Sequence, residues 1–346
     1  MKGRTVILGQ LNGRAAAALM VNGRLEDLLV DPPEDLPAPG AIFRATVDRQ
    51  VKGQGGIFLK LPGGTAFMRQ AKGLAPGQTL LVQVSGFAEP GKAVPVTPKP
   101  LFKSRYAIVT PGAPGLNVSR TIRDDEERDR LLEIAHAAMG EESSGFGLIL
   151  RSAAAGMAEA EIAADISAMR DMAQAVMSEG DGAPELLLDA PDAHMRAWRD
   201  WADPDPDEVI EGDSALADLG VLDAIDALAG PASLPGGGAL YIEPTRALVA
   251  VDVNTGPDTS PAAGLKANLA AARDLPRQLR LRGLSGQIIV DFAPMPQKDR
   301  RQLEQVLKAA FRPDPVDTTF AGWTPLGNFE ILRKRERLPL TESREK

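Results

Sequence analysis

The first forty residues alternate apolar runs with turn-forming residues. Two apolar runs, residues 4–9 and 15–21, are joined by an Asn-Gly pair, and a second Asn-Gly pair leads into a third run over residues 25–30. Asn-Gly between apolar runs favours the tight turns of β-hairpins, because both residues tolerate a positive φ. The pattern therefore predicts a three-stranded meander, and the Pro- and Asp-rich residues 31–40 predict a linker.

Short apolar runs broken by glycine continue over residues 42–98. Five such runs in so short a segment are typical of a small closed barrel, and we interpret the segment as an OB-fold barrel. The predicted strands are residues 43–47, 56–60, 65–68, 79–84 and 93–97.

The middle of the chain changes to helical patterns between shorter strands. A charged helix is predicted from Asp124 to about Met139, and a long Ala-rich helix begins near Ala158. Further short strands and helices are predicted over residues 184–228, and the Gly- and Pro-rich residues 230–238 predict a second linker.

The last third of the chain contains one strand-helix-strand unit. An apolar strand carries Asp252 near its end, the Ala-, Leu- and Arg-rich residues 265–282 favour a helix, and a second apolar strand ends at Asp291. Such a connection makes the two strands parallel. Both carboxylates then emerge at the same carboxyl edge of the sheet, where open α/β sheets bind ligands.

Asp252, Asn254 and Asp291 are the candidate metal-binding and catalytic residues. Side chains two residues apart in a strand share a face, so Asp252 and Asn254 project together. Two converging carboxylates require a counter-ion, and Mg²⁺ prefers oxygen ligands together with water and a substrate phosphate. An aspartate that closes a strand is often only a turn former, and that alternative stays open for either residue taken singly. Together the three residues favour a Mg²⁺ site suited to phosphodiester hydrolysis.

Four basic residues share one face of the helix between these strands, Lys266, Arg273, Arg277 and Arg280. A phosphate-facing stripe is one interpretation. A solvated helix face is the other, and it is what charge runs usually form. We take Arg277 and Arg280 as candidate contacts to the substrate strand or to the transition state.

Aromatic and basic residues are interleaved in the predicted barrel. Phe58 and Phe67 are each followed two residues later by a cation, Lys60 and Arg69. This pattern suits the stacking of unpaired bases between phosphate-binding cations. The alternative, that both rings fill the barrel interior, stays open.

A predicted strand ends in Arg151 and Ser152, which place a guanidinium beside a hydroxyl just before a turn. The pair is a candidate phosphate clamp, although an ordinary surface arginine gives the same pattern. The two histidines, His136 and His194, fall on unrelated helices, so we exclude a histidine-based triad or metal site. The sequence lacks a Gly-rich phosphate loop after a first strand, which argues against a nucleotide-binding α/β domain.

Composition is that of a globular protein. The 346 residues are 44% hydrophobic and 25% charged, enough for two or more domains. The absence of cysteine excludes disulfides and thiolate zinc sites within these residues. No apolar run approaches the roughly 18 residues of a membrane span, and no signal-type stretch follows the N-terminus, so we expect a soluble, cytoplasmic protein.

The net charge of −8 is unevenly distributed. Residues 38–103 carry 9 basic and 2 acidic side chains, and residues 237–346 carry 17 and 13. Between them, residues 104–236 carry 9 basic and 27 acidic side chains, while residues 1–37 carry 4 and 5. Two positive segments are therefore separated by an acidic one, and a local positive field attracts phosphates whatever the total charge.

The last third resembles the catalytic subdomain of the ribonuclease E/G family in residue type, order and spacing. The matching segments are Ala250-Val-Asp-Val-Asn-Thr-Gly256, Asn268-Leu-Ala-Ala-Ala-Arg273, Arg277-Gln-Leu-Arg-Leu-Arg282 and Ile288-Ile-Val-Asp-Phe292.

The resemblance implies an α+β multidomain fold. Residues 1–37 with 184–232 would form an RNase H-like subdomain, residues 38–100 the OB-fold RNA-binding barrel, residues 101–183 a 5′-phosphate sensor-like subdomain, and residues 237–346 a DNase I-like α/β catalytic subdomain. A weaker likeness to the family extends over nearly the whole chain.

The resemblance also implies roles for named residues. Asp252 and Asp291 match residues that bind Mg²⁺, with Mn²⁺ as the alternative cation, and Asn254 matches one that positions the attacking water or the phosphate. Base-contacting residues of the barrel correspond to Phe58, Phe67 and Lys92, and contacts to a 5′-monophosphate correspond to Arg120, Arg151 and Ser152.

The expected function is Mg²⁺-dependent endoribonuclease cleavage of single-stranded RNA, leaving 5′-phosphate and 3′-hydroxyl ends, in RNA processing or decay. The expected partner is single-stranded RNA, including 5′-monophosphorylated RNA. A homodimer is compatible with the resemblance. The family's zinc-linked tetramer is not expected, because its Cys-x-x-Cys ligands cannot come from these residues and no zinc is expected.

An RNA-binding or regulatory protein on the same scaffold, with little or no catalytic activity, is the alternative. The short barrel loops, the absent zinc link and Pro294 in place of a second aspartate favour it. Pro276, which interrupts the arginine helix, is a further departure from the family pattern.

Overall fold

The computed structural model describes residues 2–51, 55–69, 73–140 and 145–341. The chain divides into two compact units, one formed by Met1–Pro32 with Val209–Lys346 and the other by Pro33–Glu208. Within the described residues, no helix combines the length and the apolar character needed to cross a membrane.

The elements are numbered in chain order. The strands are β1 (Arg4–Leu11), β2 (Arg14–Val21), β3 (Arg24–Val30), β4 (Ile42–Val51), β5 (Gly56–Leu61), β6 (Gly64–Met68), β7 (Thr79–Val84), β8 (Val94–Thr97), β9 (Phe102–Lys103), β10 (Ala107–Pro111), β11 (Gly115–Val118), β12 (Phe146–Leu150), β13 (Glu185–Leu188), β14 (Glu208–Glu211), β15 (Ala232–Leu234), β16 (Gly238–Pro244), β17 (Val249–Asn254), β18 (Gly286–Asp291), β19 (Thr318–Trp323) and β20 (Phe329–Arg333). The α-helices are α1 (Asp125–Met139), α2 (Glu159–Ser178), α3 (Ala193–Asp200), α4 (Ala215–Asp218), α5 (Val221–Asp226), α6 (Pro261–Arg282) and α7 (Arg300–Phe311).

The N-terminal meander has the predicted form. Strands β1, β2 and β3 pair antiparallel in sequence, and β14 adds to the outer edge of β1. Asn12 and Asn22 have φ of 51°, and the glycine after each also has a positive φ, which is the backbone that a tight hairpin turn requires. Helices α4 and α5 pack on this sheet through Leu216 and Ile225, both at most 1% exposed.

Five strands close into a small barrel in the order β4-β5-β6-β8-β7, with β7 returning to pair with β4. Inward positions alternate along β5 and β6, where Ile57, Leu59, Ala66 and Met68 are at most 2% exposed. This closed five-stranded barrel is consistent with the predicted OB-fold.

Strand β13 pairs with β4 of the barrel. The family resemblance implies that residues 184–232 group with the N-terminal meander, whereas β13 lies in the unit Pro33–Glu208. Only the part of that segment after Glu208 lies in the same unit as the meander.

A four-stranded sheet of order β11-β12-β10-β9 follows the barrel, and helices α1 and α2 pack on it. Strands β11 and β12 are parallel and in register, so they end together at Val118 and Leu150.

The C-terminal sheet has the order β15-β16-β17-β18-β20-β19. Strands β17 and β18 are parallel and are connected through α6, as the sequence predicts. Ser260 caps the start of α6 through its side chain, and Gly283 ends the helix with φ of 65°. Residues of α6 and α7 share the sheet's hydrophobic core, including Leu275, Leu279 and Leu303.

Candidate functional site

The two candidate carboxylates lie side by side. Asp252 on β17 is the register partner of Asp291 on β18, and adjacent strands in a sheet are about 4.8 Å apart. Val251 and Val290, one residue earlier on each strand, are at most 2% exposed in the core beneath the sheet. Because successive residues alternate faces, both carboxylates project from the opposite, exposed face.

Like charge accumulates at this point of the sheet. Partial burial raises the pKa of Asp252 above its ordinary value, and the charges of Asp291 and Glu243 raise that pKa further. Among the described residues, no lysine or arginine forms an ion pair with Asp252 or Asp291. Within the part of the chain that the structure describes, these two carboxylates therefore have no basic side chain to neutralise them.

The donor set fits a magnesium-type cation. Mg²⁺ is usually held by one or two carboxylates and completes its octahedron with water and substrate phosphate. Within the described part of the chain, no third His, Cys, Asp or Glu joins the pair in a metal-binding group, so a closed cage made only of protein ligands is not formed. Asp252 and Asp291 would supply the two carboxylates of an open site.

Asn254 shares the exposed face with Asp252. Its Oδ1 accepts a hydrogen bond of 2.8 Å from the backbone N–H of Gly256, which orients the amide and leaves Nδ2 as a donor. Gly256 has φ of 77°, and a Cβ there would lie 2.4 Å from the carbonyl oxygen of Gly237. The turn after β17 therefore requires glycine and fixes Asn254 as a hydrogen-bond donor.

Asn268 on α6 is a supporting residue to which the sequence analysis gave no role. Its side chain is fully buried, and its amide makes two bonds to the backbone of Ala293, from Nδ2 to the carbonyl at 2.8 Å and from the N–H to Oδ1 at 2.9 Å. Ala293 lies two residues after Asp291, so this amide pins the end of β18 to the helix. The sequence feature that could have identified Asn268 is its place as the one polar side chain among the small apolar residues Gly264, Ala267, Ala271 and Ala272.

Arg277 and Arg280 make contacts within the fold. Arg277 donates to the carbonyl oxygen of Leu25 at 2.6 Å and pairs with Asp274, and Arg280 pairs with Asp314 at 2.6 Å. Their side chains are 13% and 10% exposed, on a helix that packs in the core below the sheet. Their assignment as substrate contacts stays a prediction, and these contacts do not support it.

The two aromatic residues of the barrel face outward. Phe58 and Phe67 are register partners with ring centroids 5.3 Å apart, and both are half-buried outside the barrel core. The alternative that they fill the interior is therefore excluded. Arg49 lies 5.0 Å from the centroid of Phe58, within cation–π range, and adds a cation that the sequence analysis did not single out.

Lys92 is exposed in the loop before β8 and pairs with Glu89 at 2.7 Å. An exposed pair of this kind contributes little energy, so the ammonium group stays accessible to an anion.

The three candidate 5′-phosphate contacts follow the parallel strands β11 and β12. Arg120 is exposed, and Ser152 begins a short 3₁₀ turn. Arg151 instead makes internal bonds, to the carbonyl oxygens of Ser104 and Arg199 and to Asp200 at 3.0 Å. The strand ends thus bring Arg120 and Ser152 to one edge, while the guanidinium of Arg151 is held by the surrounding structure.

Comparisons of the sequence with a family model and with curated proteins give the same family. The model of the ribonuclease E/G family matches residues 102–219 and 214–336. The chain is 33% identical over 304 residues to ribonuclease G of Escherichia coli, covering 75% of this chain and 60% of that protein. It is 31% identical over 303 residues to ribonuclease E of Nostoc sp., covering 76% of this chain and 44% of that protein. The chain spans about half the length of the curated relatives it matches.

Proposed function

The chain belongs to the ribonuclease E/G family, and from this premise we propose that it is a metal-dependent endoribonuclease that cleaves single-stranded RNA in RNA processing or decay. The single observation that carries the proposal is the pair Asp252 and Asp291, in register on parallel strands and without a cationic partner among the described residues.

The carboxylate pair would hold Mg²⁺, or Mn²⁺, on the exposed face of the sheet. A divalent ion bound there would act as a Lewis acid: it would neutralise charge on the scissile phosphate and make a bound water molecule more acidic. Asp252 and Asp291 orient it by fixing two of its ligand positions, and their mutual repulsion is relieved when a cation is present.

Asn254 would position the reacting groups. With Oδ1 engaged by Gly256, its Nδ2 donates to a non-bridging phosphate oxygen or to the attacking water. Water attacks phosphorus, the bond from phosphorus to the 3′-oxygen breaks, and the proton lost by water is taken up by that 3′-oxygen. The products are a 3′-hydroxyl and a 5′-phosphate.

The barrel would bind the RNA strand. The outward rings of Phe58 and Phe67 offer stacking surface to unpaired bases, and Arg49 and Lys92 offer charge to phosphates. For a 5′-monophosphate, Arg120 and Ser152 would contact the anion, and Arg151 would hold the neighbouring backbone through its bonds to Ser104 and Asp200.

An RNA-binding protein with little or no catalysis is the second candidate. It is favoured by the engagement of Arg277 and Arg280 in internal ion pairs, because neither guanidinium is then available to stabilise transition-state charge.

The deciding experiment incubates a 5′-monophosphorylated single-stranded RNA with Mg²⁺ and the wild type or the double variant Asp252→Asn, Asp291→Asn. We expect the wild type to cleave the RNA and the double variant to bind it without cleavage. Equal cleavage by both proteins would move the chemistry elsewhere, and binding without cleavage by the wild type would establish the second candidate.

A further inference from the structure

A tyrosine completes the row of side chains that contains the two carboxylates. Tyr241 on β16 is the register partner of Asp252, which is the partner of Asp291, so the three lie across three neighbouring strands. Leu240, next to Tyr241, is fully buried, which places Tyr241 on the exposed face with the carboxylates. Directly opposite side chains have Cβ atoms about 5 Å apart. The ring therefore borders the carboxylate pair on the side away from Asp291.

Among the described residues, none hydrogen-bonds to the Tyr241 hydroxyl or stacks on its ring. Tyr241 is 40% exposed. The next row pairs Asn254 with Ala239, so the neighbour of Tyr241 on its own strand and face at that side carries only a methyl group. The exposed part of the Tyr241 ring therefore lies next to the carboxylate pair.

The charge around the ring limits what it can contact in an RNA. Glu243 and Glu330 lie at the two ends of the neighbouring row, which runs through Ala250 and Ile289. These carboxylates repel phosphates, so phosphate contacts on this face depend on a cation held by the pair and on the Nδ2 of Asn254, whereas an uncharged aromatic ring suits contact with a base. Stacking on a base is such a contact, and it tolerates any base because each has a π-face.

We infer that Tyr241 is a substrate-positioning residue whose ring stacks on the base of the nucleotide adjoining the scissile phosphate. The inference rests on the proposed function, because it takes the phosphate to lie at Asp252 and Asp291. With the base held against the ring, the phosphate is fixed over the carboxylate row in a geometry that supports in-line attack.

A binding measurement tests the stacking contact separately from catalysis. Fluorescence anisotropy with a labelled RNA of four nucleotides, in Ca²⁺ to supply the cation at the carboxylate pair, compares the wild type with Tyr241→Ala, Tyr241→Phe and Leu332→Ala. Leu332 is the matched control, an exposed apolar side chain on β20 of the same sheet. We expect Tyr241→Ala to weaken binding about tenfold, and Tyr241→Phe and Leu332→Ala to bind like the wild type. Equal binding by Tyr241→Ala and the wild type would overturn the inference.

A cleavage measurement identifies the base concerned. The wild-type cleavage position is mapped first, and an RNA lacking the base on one or the other side of it is then cleaved by the wild type and by Tyr241→Ala. We expect the loss caused by the substitution to disappear for one of the two abasic RNAs, and persistence of the loss with both would contradict the inference. Weaker binding by Tyr241→Ala with no cleavage by the wild type would refute the proposed function while leaving the stacking contact intact.

Discussion

The carboxylate of Asp252 is destabilised in its charged form, and no basic side chain among the described residues pairs with it. Burial and the neighbouring charges of Asp291 and Glu243 raise its pKa, so the native state holds its proton more tightly than the unfolded chain does. The protonated carboxyl of Asp252 therefore favours the native state over the unfolded chain at low pH. This contribution to the free energy of unfolding is lost as the pH rises from the ordinary pKa of 3.8 through the raised pKa of the native state.

Replacing Asp252 by Asn should therefore remove a repulsion at neutral pH. In EDTA at pH 7 we expect Asp252→Asn to be at least as stable as the wild type, by up to about 0.5 kcal/mol because the site is largely solvated. Urea unfolding followed by circular dichroism at pH 7 and pH 4 measures this, and the advantage should shrink at the lower pH. A variant clearly less stable than the wild type at pH 7 would show that Asp252 has an attractive partner.

Asn268 provides the second test at the residue scale. Removing its amide leaves the backbone N–H and carbonyl of Ala293 unsatisfied in the interior. We expect Asn268→Ala to lower the free energy of unfolding by about 1–3 kcal/mol per unsatisfied group, measured by urea denaturation. Asn117→Ala, at an exposed position of β11, is the control and should stay close to the wild type. Equal stability of both variants would remove Asn268 from the support of β18.

The sequence was enough to predict which side chains lie close together when their places at the ends of neighbouring strands fix this. Asp252 and Asp291 each lie near the end of a strand joined through one helix, so local pattern was enough to bring them together. The prediction was weaker for Arg277 and Arg280, because helical spacing shows that they share a face but not what covers it. Their partners Leu25 and Asp314 are distant in sequence, and only tertiary packing brings them into contact.

The start of β5 supports one of the two outward-facing aromatic rings of the barrel. Gly56, at the start of β5, lies beneath the ring of Phe67, and a Cβ at that position would be 2.4 Å from the ring. We expect Gly56→Ala to displace the ring and weaken binding of a single-stranded RNA several-fold, measured by fluorescence anisotropy. Gly64→Ala on β6 has open space around its added Cβ and should bind like the wild type. If both variants bound alike, the ring position would not matter for RNA.

Helix α6 is held to the N-terminal meander by an ion-pair network in the same unit. Arg280 pairs with Asp314, whose side chain is fully buried, and with Glu26 on β3. We expect Arg280→Ala to lower the free energy of unfolding by about 1–3 kcal/mol, because Asp314 loses one of its two charge-assisted bonds but keeps its ion pair with Arg333. Thermal unfolding checks this against Arg273→Ala, at an exposed position of the same helix, which should change little. An unaltered melting temperature for Arg280→Ala would return that residue to the list of candidate RNA contacts.

Among the helices and strands, the sequence predicted those that have a clear hydrophobic period or turn-forming residues at their ends. The Asn-Gly hairpins, the barrel strands and the helix after Asp252 all form as their patterns indicate. The pairing of β13 with β4 was not predicted, because a four-residue strand contains no local information about which distant edge it joins.

At the scale of the whole molecule, function depends on how charge is distributed. A net charge of −8 would repel RNA if it were uniform, yet residues 38–103 carry 9 basic and 2 acidic side chains. The acidic excess lies in residues 104–236, outside the barrel strands β4 to β8 and the strands β16 to β20 of the C-terminal sheet. The proposed binding to RNA therefore relies on local positive fields, which screening by salt weakens.

The most direct test of the account is whether Asp252 and Asp291 share one divalent cation. Electron paramagnetic resonance of Mn²⁺, titrated into the metal-free protein, compares the wild type with Asp252→Asn, Asp291→Asn and the loop control Asp258→Asn. We predict one site in the wild type and in Asp258→Asn that is lost in each of the other two variants. Retention of that site in both Asp252→Asn and Asp291→Asn would contradict the claim.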